Sequence, residues 1–170
     1  EWEQEIDNLA NFKINIAKIR IGLVLSCKGG ALPSIAKPVK NYVGAAFGTG
    51  EQWQSWIHVE DLARLFLFAV QNKLDGVYNG VAPNPVTNMR LTKEVASVLK
   101  KPLLLPNVPQ IIMKTILGEM SYLLFASQRV SSKKIEASGF NFHYKNISNA
   151  LEELFEVKKR PDNSYLKEFV

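Results

Sequence analysis

Apolar residues along this chain fall into two patterns, dense short runs and stripes at helical spacing, and their alternation predicts the layout. Trp2, Ile6, Leu9 and Ala10 recur near one helical face, so residues 1–11 are expected to be a helix. "INIAKIRIGLVLS" (14–26) is dense and β-branched and is read as one buried parallel strand covered on both faces. "GGALPSIAKPVKNYVG" predicts a short helix with Pro33 near its start and Pro38 limiting its length. "SWIHV" (55–59) is a second strand, followed by a helix with Asp61 in its first turn that runs to about Gln71. Its expected apolar face is Leu62, Leu65, Phe66, Ala69 and Val70.

The second half continues the alternation. "VYNGVA" (77–82) follows an Asp75-Gly76 turn as a third strand. Thr87 or Asn88 can cap a helix whose stripe is Leu91, Val95, Val98 and Leu99. Prolines keep "PLLLPNVP" extended, and a greasy helix is expected over 110–125. Ser132 can cap a short helix that Gly139 ends, and "FNFHY" (140–144) alternates like an edge strand. A last helix opens at Asn146 or Ser148 and runs through Leu151, Leu154 and Phe155, before a polar tail. Strands interleaved with helices indicate an α/β fold. The uncapped helical face at Glu1 suggests a chain cut from something longer.

Composition narrows the class. With 170 residues, 46% hydrophobic and 22% charged, the chain can bury a core of ordinary size. One cysteine, Cys27, excludes an intramolecular disulfide and a Cys-rich metal site. The greasy run 111–126 is interrupted by Lys114 and Glu119, so neither a membrane span nor a signal peptide is expected, and a cytoplasmic location is. The net charge of +5 lies in the second half: residues 1–85 carry 8 basic and 8 acidic side chains, and 86–170 carry 13 and 8. The excess is scattered, with no basic stripe interleaved with aromatics, so a solvated surface is expected and nucleic-acid binding is not.

Candidate chemistry is sparse. "GAAFGTG" (44–50) has the glycines of a phosphate loop, but a strand pattern follows it where a helix is required. "KGG" (28–30) follows a strand but lacks a third glycine and a later ribose-binding acid. His58 and His143 have no His or Cys at ligand spacing, so no metal site is expected, and no G-x-S-x-G elbow is present. There remains "QWQSWIHVED". It can be a plain strand-to-helix junction, with Trp56 and Ile57 on opposite faces, His58 bonding locally and Asp61 charging the helix start. It can equally be a ligand wall, with Gln52, Trp53 and Ser55 at the mouth of a parallel sheet, beyond its carboxyl ends.

The ordered series "RIGLVL…GGAL…GTGEQWQSWIHVEDLA…VYNGVAPNPVTN…KKPLLLPNVP…LGE…SQRVSSKKIEASGF" resembles the C-terminal half of atypical extended short-chain dehydrogenase/reductases. These are NAD(P)-dependent nucleotide-sugar epimerase-like proteins, some of them labelled cell division inhibitors. The resemblance runs from Trp2 to about Phe155 and is most specific at "QWxSWIHxxD" and "SQRVxxxKxxxxGF". It implies the C-terminal portion of a Rossmann-like parallel sheet over 1–82, a small, mostly helical substrate-side domain over 83–157, and a polar tail over 158–170.

It further implies a substrate wall of Gly30, Gln52, Trp53, Ser55 and Trp56. Arg129 would offer a bidentate fork to a phosphate or carboxylate, unless it makes a surface ion pair. Gly29 and Leu32 would lie beside the cofactor, and His58 and Asp61 would support the junction. The family's Gly-rich loop and Tyr-x-x-x-Lys pair are not in this sequence. The resemblance therefore implies NAD or NADP in a longer parent with a small-molecule substrate, but no tight cofactor binding and no catalysis by this polypeptide. A non-enzymatic ligand-binding or interaction module is the alternative, and an uncovered sheet edge leaves self-association open.

Overall fold

The computed structural model describes residues 14–109 and 127–157. The expected helix at 1–11, the greasy helix at 110–125 and the polar tail lie outside them.

The expected first strand is two strands with different partners. β1 (Ala17–Ile21) pairs in parallel with β5 (Gly76–Gly80), in a register running from Ala17 beside Gly76 to Ile21 beside Gly80. β2 (Leu23–Leu25) leaves it and pairs in parallel with β4 (Trp56–His58). Gly22 sits at the break, where a Cβ would lie 2.2 Å from the Ser55 carbonyl oxygen. Only a residue without a side chain lets the β4 backbone approach this closely. Parallel pairing is as expected, but full cover is not. Ile21 is 48% exposed and Leu25 alone is buried among the residues of β1 and β2.

α1 (Ala31–Lys40) follows β2 with Pro33 in its first turn and Pro38 near its end, as the sequence implied. "GAAFGTG" is loop, tied by a parallel bridge between Phe47 and Val108. Next come β3 (Trp53–Gln54), β4, and α2 (Val59–Gln71). β6 (Val86–Thr87) pairs antiparallel with β3, a short ladder the Pro-rich sequence did not reveal. α3 (Asn88–Val98) is capped by Thr87, whose hydroxyl oxygen accepts the Arg90 N–H at 3.2 Å. α4 (Lys133–Ala137) and α5 (Ile147–Val157) complete the described elements.

Two expectations change. On α2 the inward face is Leu62, Leu65, Phe68 and Ala69, whereas Phe66 and Val70 point to solvent. The helix is apolar on two faces, so periodicity alone could not say which one the sheet takes. "FNFHY" is not a strand: Phe140 and Phe142 are buried as their alternation implied, but the His143 and Tyr144 N–H groups go to the Asp61 carboxylate and not to a ladder.

The core has two parts, one on each side of β4. Trp56 joins a cluster built by α1, α3 and α5 with Leu25, Leu32, Leu91 and Leu151. Ile57 joins a smaller one with Leu65, Tyr78, Ile135, Phe140 and Phe142. Consecutive residues on opposite faces follow from the two-residue period of a strand.

Candidate functional site

The carboxyl ends of β1 and β5 meet the segment that carries the candidate wall. Leu23 N–H donates to the Ser55 carbonyl at 2.8 Å, Ala82 N–H to the Trp56 carbonyl at 2.7 Å, and Gly22 N–H to the Gly80 carbonyl at 3.2 Å. Ser55 and Trp56 therefore cross just beyond the strand ends, where open α/β sheets bind their ligands.

The "SQRV" segment is fastened onto this crossing. Trp53 N–H donates to Ser127 Oγ at 3.0 Å, and Gln128 N–H donates to the Trp53 carbonyl at 3.3 Å. The Ser55 hydroxyl donates to the Gln128 carbonyl at 2.8 Å and accepts the Val130 N–H at 2.9 Å. Arg129 is thereby held with its guanidinium carbon 4.6 Å from the centre of the Trp53 ring. Among the described residues Arg129 has no carboxylate partner, and it is exposed. Gln52 is buried; its amide donates to the Phe47 carbonyl at 2.9 Å, while its Oε1 has no partner among the described residues. Trp53, Ser55 and Arg129 are thus brought together, whereas the Gln52 side chain is tied to Phe47.

The other candidates stand differently. Trp56 is fully buried, and its Nε1–H donates to the Asn84 carbonyl at 2.9 Å, so its ring is a core group. The β2–β4 register sets Leu25 beside His58, so Gly29 and Gly30 leave this pair by the end opposite the one Gln52 and Trp53 enter. Gly30 has a positive φ of 75° and opens α1 without a side-chain cap, and Gly29 is open on the side a Cβ would occupy. Leu32 is fully buried, which leaves only its backbone to face a cofactor. This strand-turn-helix has one helix N-terminus and Pro33 in its first turn. By itself it does not make the glycine-lined cradle of a dinucleotide.

His58 and Asp61 tie the strand-helix junction to the far end of the chain. His58 caps α2: its Nδ1 accepts the Glu60 N–H at 3.1 Å. That fixes the neutral tautomer with the proton on Nε2, which donates to Glu153 Oε2 at 3.0 Å. The ring stacks on Tyr144 with centroids 3.9 Å apart. Asp61, wholly buried, receives Arg64 at 2.7 Å, His143 N–H at 3.0 Å and Tyr144 N–H at 2.8 Å. Glu60 takes the Tyr144 hydroxyl at 3.2 Å and lies 3.3 Å from His143 Nδ1.

Burial pushes the His58 pKa below its ordinary value, against the opposing pull of Glu153, Glu60 and Asp61. Burial, then the charges of Glu153, Glu60 and Asp61, raise the Tyr144 phenol. With its Nδ1 and Nε2 both engaged inside the protein, His58 has no free nitrogen with which to move a proton to or from a ligand. Glu153, Tyr144 and Asn84 were not legible as partners in the sequence, because tens of residues separate each from the group it serves.

A parallel α/β pair with its polar crossing at the strand ends, and a C-terminal region latched across it, is a Rossmann-like architecture. Residues 29–80 of the chain match the NAD dependent epimerase/dehydratase family, and residues 108–154 match a domain of unknown function, DUF1731. It is 41% identical over 159 residues to the epimerase family protein YfhF of Bacillus subtilis (strain 168), covering 93% of this chain and 52% of that protein. It is 40% identical over 152 residues to the chloroplastic SDR39U1 homolog of Arabidopsis thaliana, covering 89% of this chain and 43% of that one. Among solved structures, the human epimerase family protein SDR39U1 (isoform2) with NADPH superposes with a TM-score of 0.78 at 29% identity, over 84% of this chain and 48% of that one. The chain spans about half the length of the curated relatives it matches. Among the described residues no helix is long and apolar enough to cross a membrane, and no cluster of His, Cys, Asp and Glu could hold a metal ion.

Proposed function

We propose that this chain is the substrate-side portion of an NAD(P)-dependent nucleotide-sugar epimerase or reductase-like protein of the cytoplasm. Residues 1–82 extend a Rossmann-like sheet, and 83–157 form the small domain that closes over its carboxyl ends. The observation that carries this reading is the fastening of "SQRV" onto "QWQS" at the ends of β1 and β5. It sets an exposed guanidinium over an aromatic ring at the sheet mouth.

Gln52 would back the wall from inside, its amide held by the Phe47 carbonyl. Trp53 would supply an apolar wall, Ser55 would hold the wall's backbone, and Arg129 would pair with a phosphate or carboxylate. Trp56 sets the strand beneath them, and Gly29, Gly30 and Leu32 offer backbone on the far side of β2. The nicotinamide, when bound, supplies hydride transfer. Its pyrophosphate site is to be sought in the remaining length of the whole protein, and we expect no tight NAD(P) binding by these 170 residues. The NADPH of the human relative supports this assignment of cofactor class.

Titration of the full-length protein with NADPH and NADH, followed by fluorescence, tests the cofactor reading. Binding of at least one is expected. Binding of neither would overturn it and favour the non-enzymatic module. A nucleoside diphosphate added to the same protein tests the wall, and Arg129→Ala is expected to weaken its binding about tenfold, the worth of a charge-assisted bond.

A further inference from the structure

The segment 127–134 runs from β3 to β5 and is pinned at both ends. At its start Ser127 Oγ accepts the Trp53 N–H at 3.0 Å, and the Gln128 N–H reaches the Trp53 carbonyl at 3.3 Å. At its far end Asn79 Nδ2 donates to the Ser131 carbonyl at 3.0 Å, and Lys134 Nζ donates to the Val77 carbonyl at 2.8 Å. Arg129 lies between these pins.

Arg129 itself is held by one hydroxyl. Ser55 Oγ donates to the Gln128 carbonyl at 2.8 Å and accepts the Val130 N–H at 2.9 Å. These belong to the peptide groups on either side of Arg129, so the two bonds fix its backbone torsions. A hydroxyl has a single proton. Ser55 spends it on Gln128 and has none to offer a ligand. Ser55 is buried and braced from behind: its carbonyl accepts the Leu23 N–H at 2.8 Å, through the close approach that Gly22 permits. A buried, braced side chain thus sets where an exposed one stands, with the Arg129 guanidinium carbon 4.6 Å from the Trp53 ring centre.

We propose that Ser55 is the positioning residue of the wall: it contacts no ligand and holds the Arg129 guanidinium over Trp53 before a ligand arrives. Its consequence for affinity rests on the reading of Arg129 as an anion-binding group. A guanidinium already in place loses less freedom on binding, so the hydroxyl strengthens the hold on a phosphate it never touches. Removing the hydroxyl leaves the pins at Trp53, Asn79 and Lys134 in place, so the segment stays attached while Arg129 is released.

Two measurements on the full-length protein separate this inference from the reading beneath it. The first needs no ligand. The Arg129 Nε–H magnetic resonance signal, assigned by its loss in Arg129→Ala, is expected to be displaced by the indole ring current. It should move toward the free-arginine position in Ser55→Ala and hold in Ser55→Thr, which keeps the hydroxyl. An unmoved signal in Ser55→Ala, or the same movement in Ser55→Thr, would overturn the role of the hydroxyl. The second is calorimetric titration with uridine diphosphate of the wild type, Ser55→Ala, Arg129→Ala and the double variant. Ser55→Ala is expected to weaken binding about three- to tenfold, the cost of ordering one long side chain. In the Arg129→Ala background it is expected to add nothing. Full affinity in Ser55→Ala, or a loss that multiplies with that of Arg129→Ala, would overturn the inference and leave the role of Arg129 intact. Binding unaffected by Arg129→Ala would instead overturn the anion reading, with the ring-current shift still deciding whether Ser55 positions Arg129.

Discussion

The crossing at Gln52–Ser55 and the junction at His58–Asp61 are separated by two residues, yet they are built on opposite principles. At the junction almost every polar valence is filled from within: Asp61 has three donors, and His58 has an acceptor, a donor and a stacking ring. At the crossing the backbone and the Ser55 hydroxyl are fastened, but the aromatic and cationic side chains are less spent. Gln52 Oε1 has no partner among the described residues, Trp53 is half-buried, and Arg129 is exposed over the Trp53 ring. Saturated polar groups hold a shape, and unsaturated ones at a sheet mouth can hold a ligand. On the proposed reading, that difference separates the residues that support the fold from those that would meet a ligand.

The largest test of that contrast is Asp61→Ala. It leaves two backbone N–H groups and Arg64 without their acceptor in a buried site, and an expected loss of about 3–5 kcal/mol follows. A fall in the urea midpoint would measure it, and a change below 1 kcal/mol would show that the junction is not the saturated region. Next comes Gly22→Ala. Its Cβ would collide with the Ser55 carbonyl, and displacing β4 is expected to cost about 1–3 kcal/mol while also disturbing the crossing.

The pH response is smaller and its sign is fixed. Burial depresses the His58 pKa in the folded state, so the unfolded chain binds more protons below the ordinary value of 6.5. The stability contributed by neutral His58 is therefore present above pH 6.5 and lost as pH falls through the folded value. The groups facing it are Glu60 and Asp61 from α2, Glu153 from α5 and Tyr144 from the segment between α4 and α5. Unfolding curves from pH 7.5 to 5 should flatten in His58→Asn, and an unaltered slope would assign the acid sensitivity to another group. The smallest effect on folding belongs to the crossing. Arg129→Ala removes one exposed cation–π contact and is expected to cost under about 1 kcal/mol. A large loss of stability there would erase the contrast.

Much of this was legible in the sequence because it is local. The end of α2 near Gln71, the start of α1 near Pro33, and the opposed faces of Trp56 and Ile57 follow from periodicity, proline position and the strand period, while the strand reaches only to His58 and not to Val59 as expected. What failed depends on neighbours distant in sequence. The break at Gly22 needs the Ser55 carbonyl. The inward face of α2 needs the sheet to choose between two apolar stripes. The unladdered "FNFHY" needs a carboxylate from another element. At the crossing, the residue types were readable, but their gathering by Ser127 and Gln128 was not.

The bonds that complete the junction span 82, 83 and 95 residues of chain. Contacts of such high order form late, because the intervening loop must close first. During synthesis, α2 is made with a buried-type aspartate and a capping histidine whose partners do not yet exist. They arrive only when residues 143–153 leave the ribosome. Until then Asp61 must stay hydrated, and the first elements cannot lock. A stop codon between Asn88 and Tyr144 should therefore yield a chain recognised as incomplete by the cell's quality control, although it contains every strand described here.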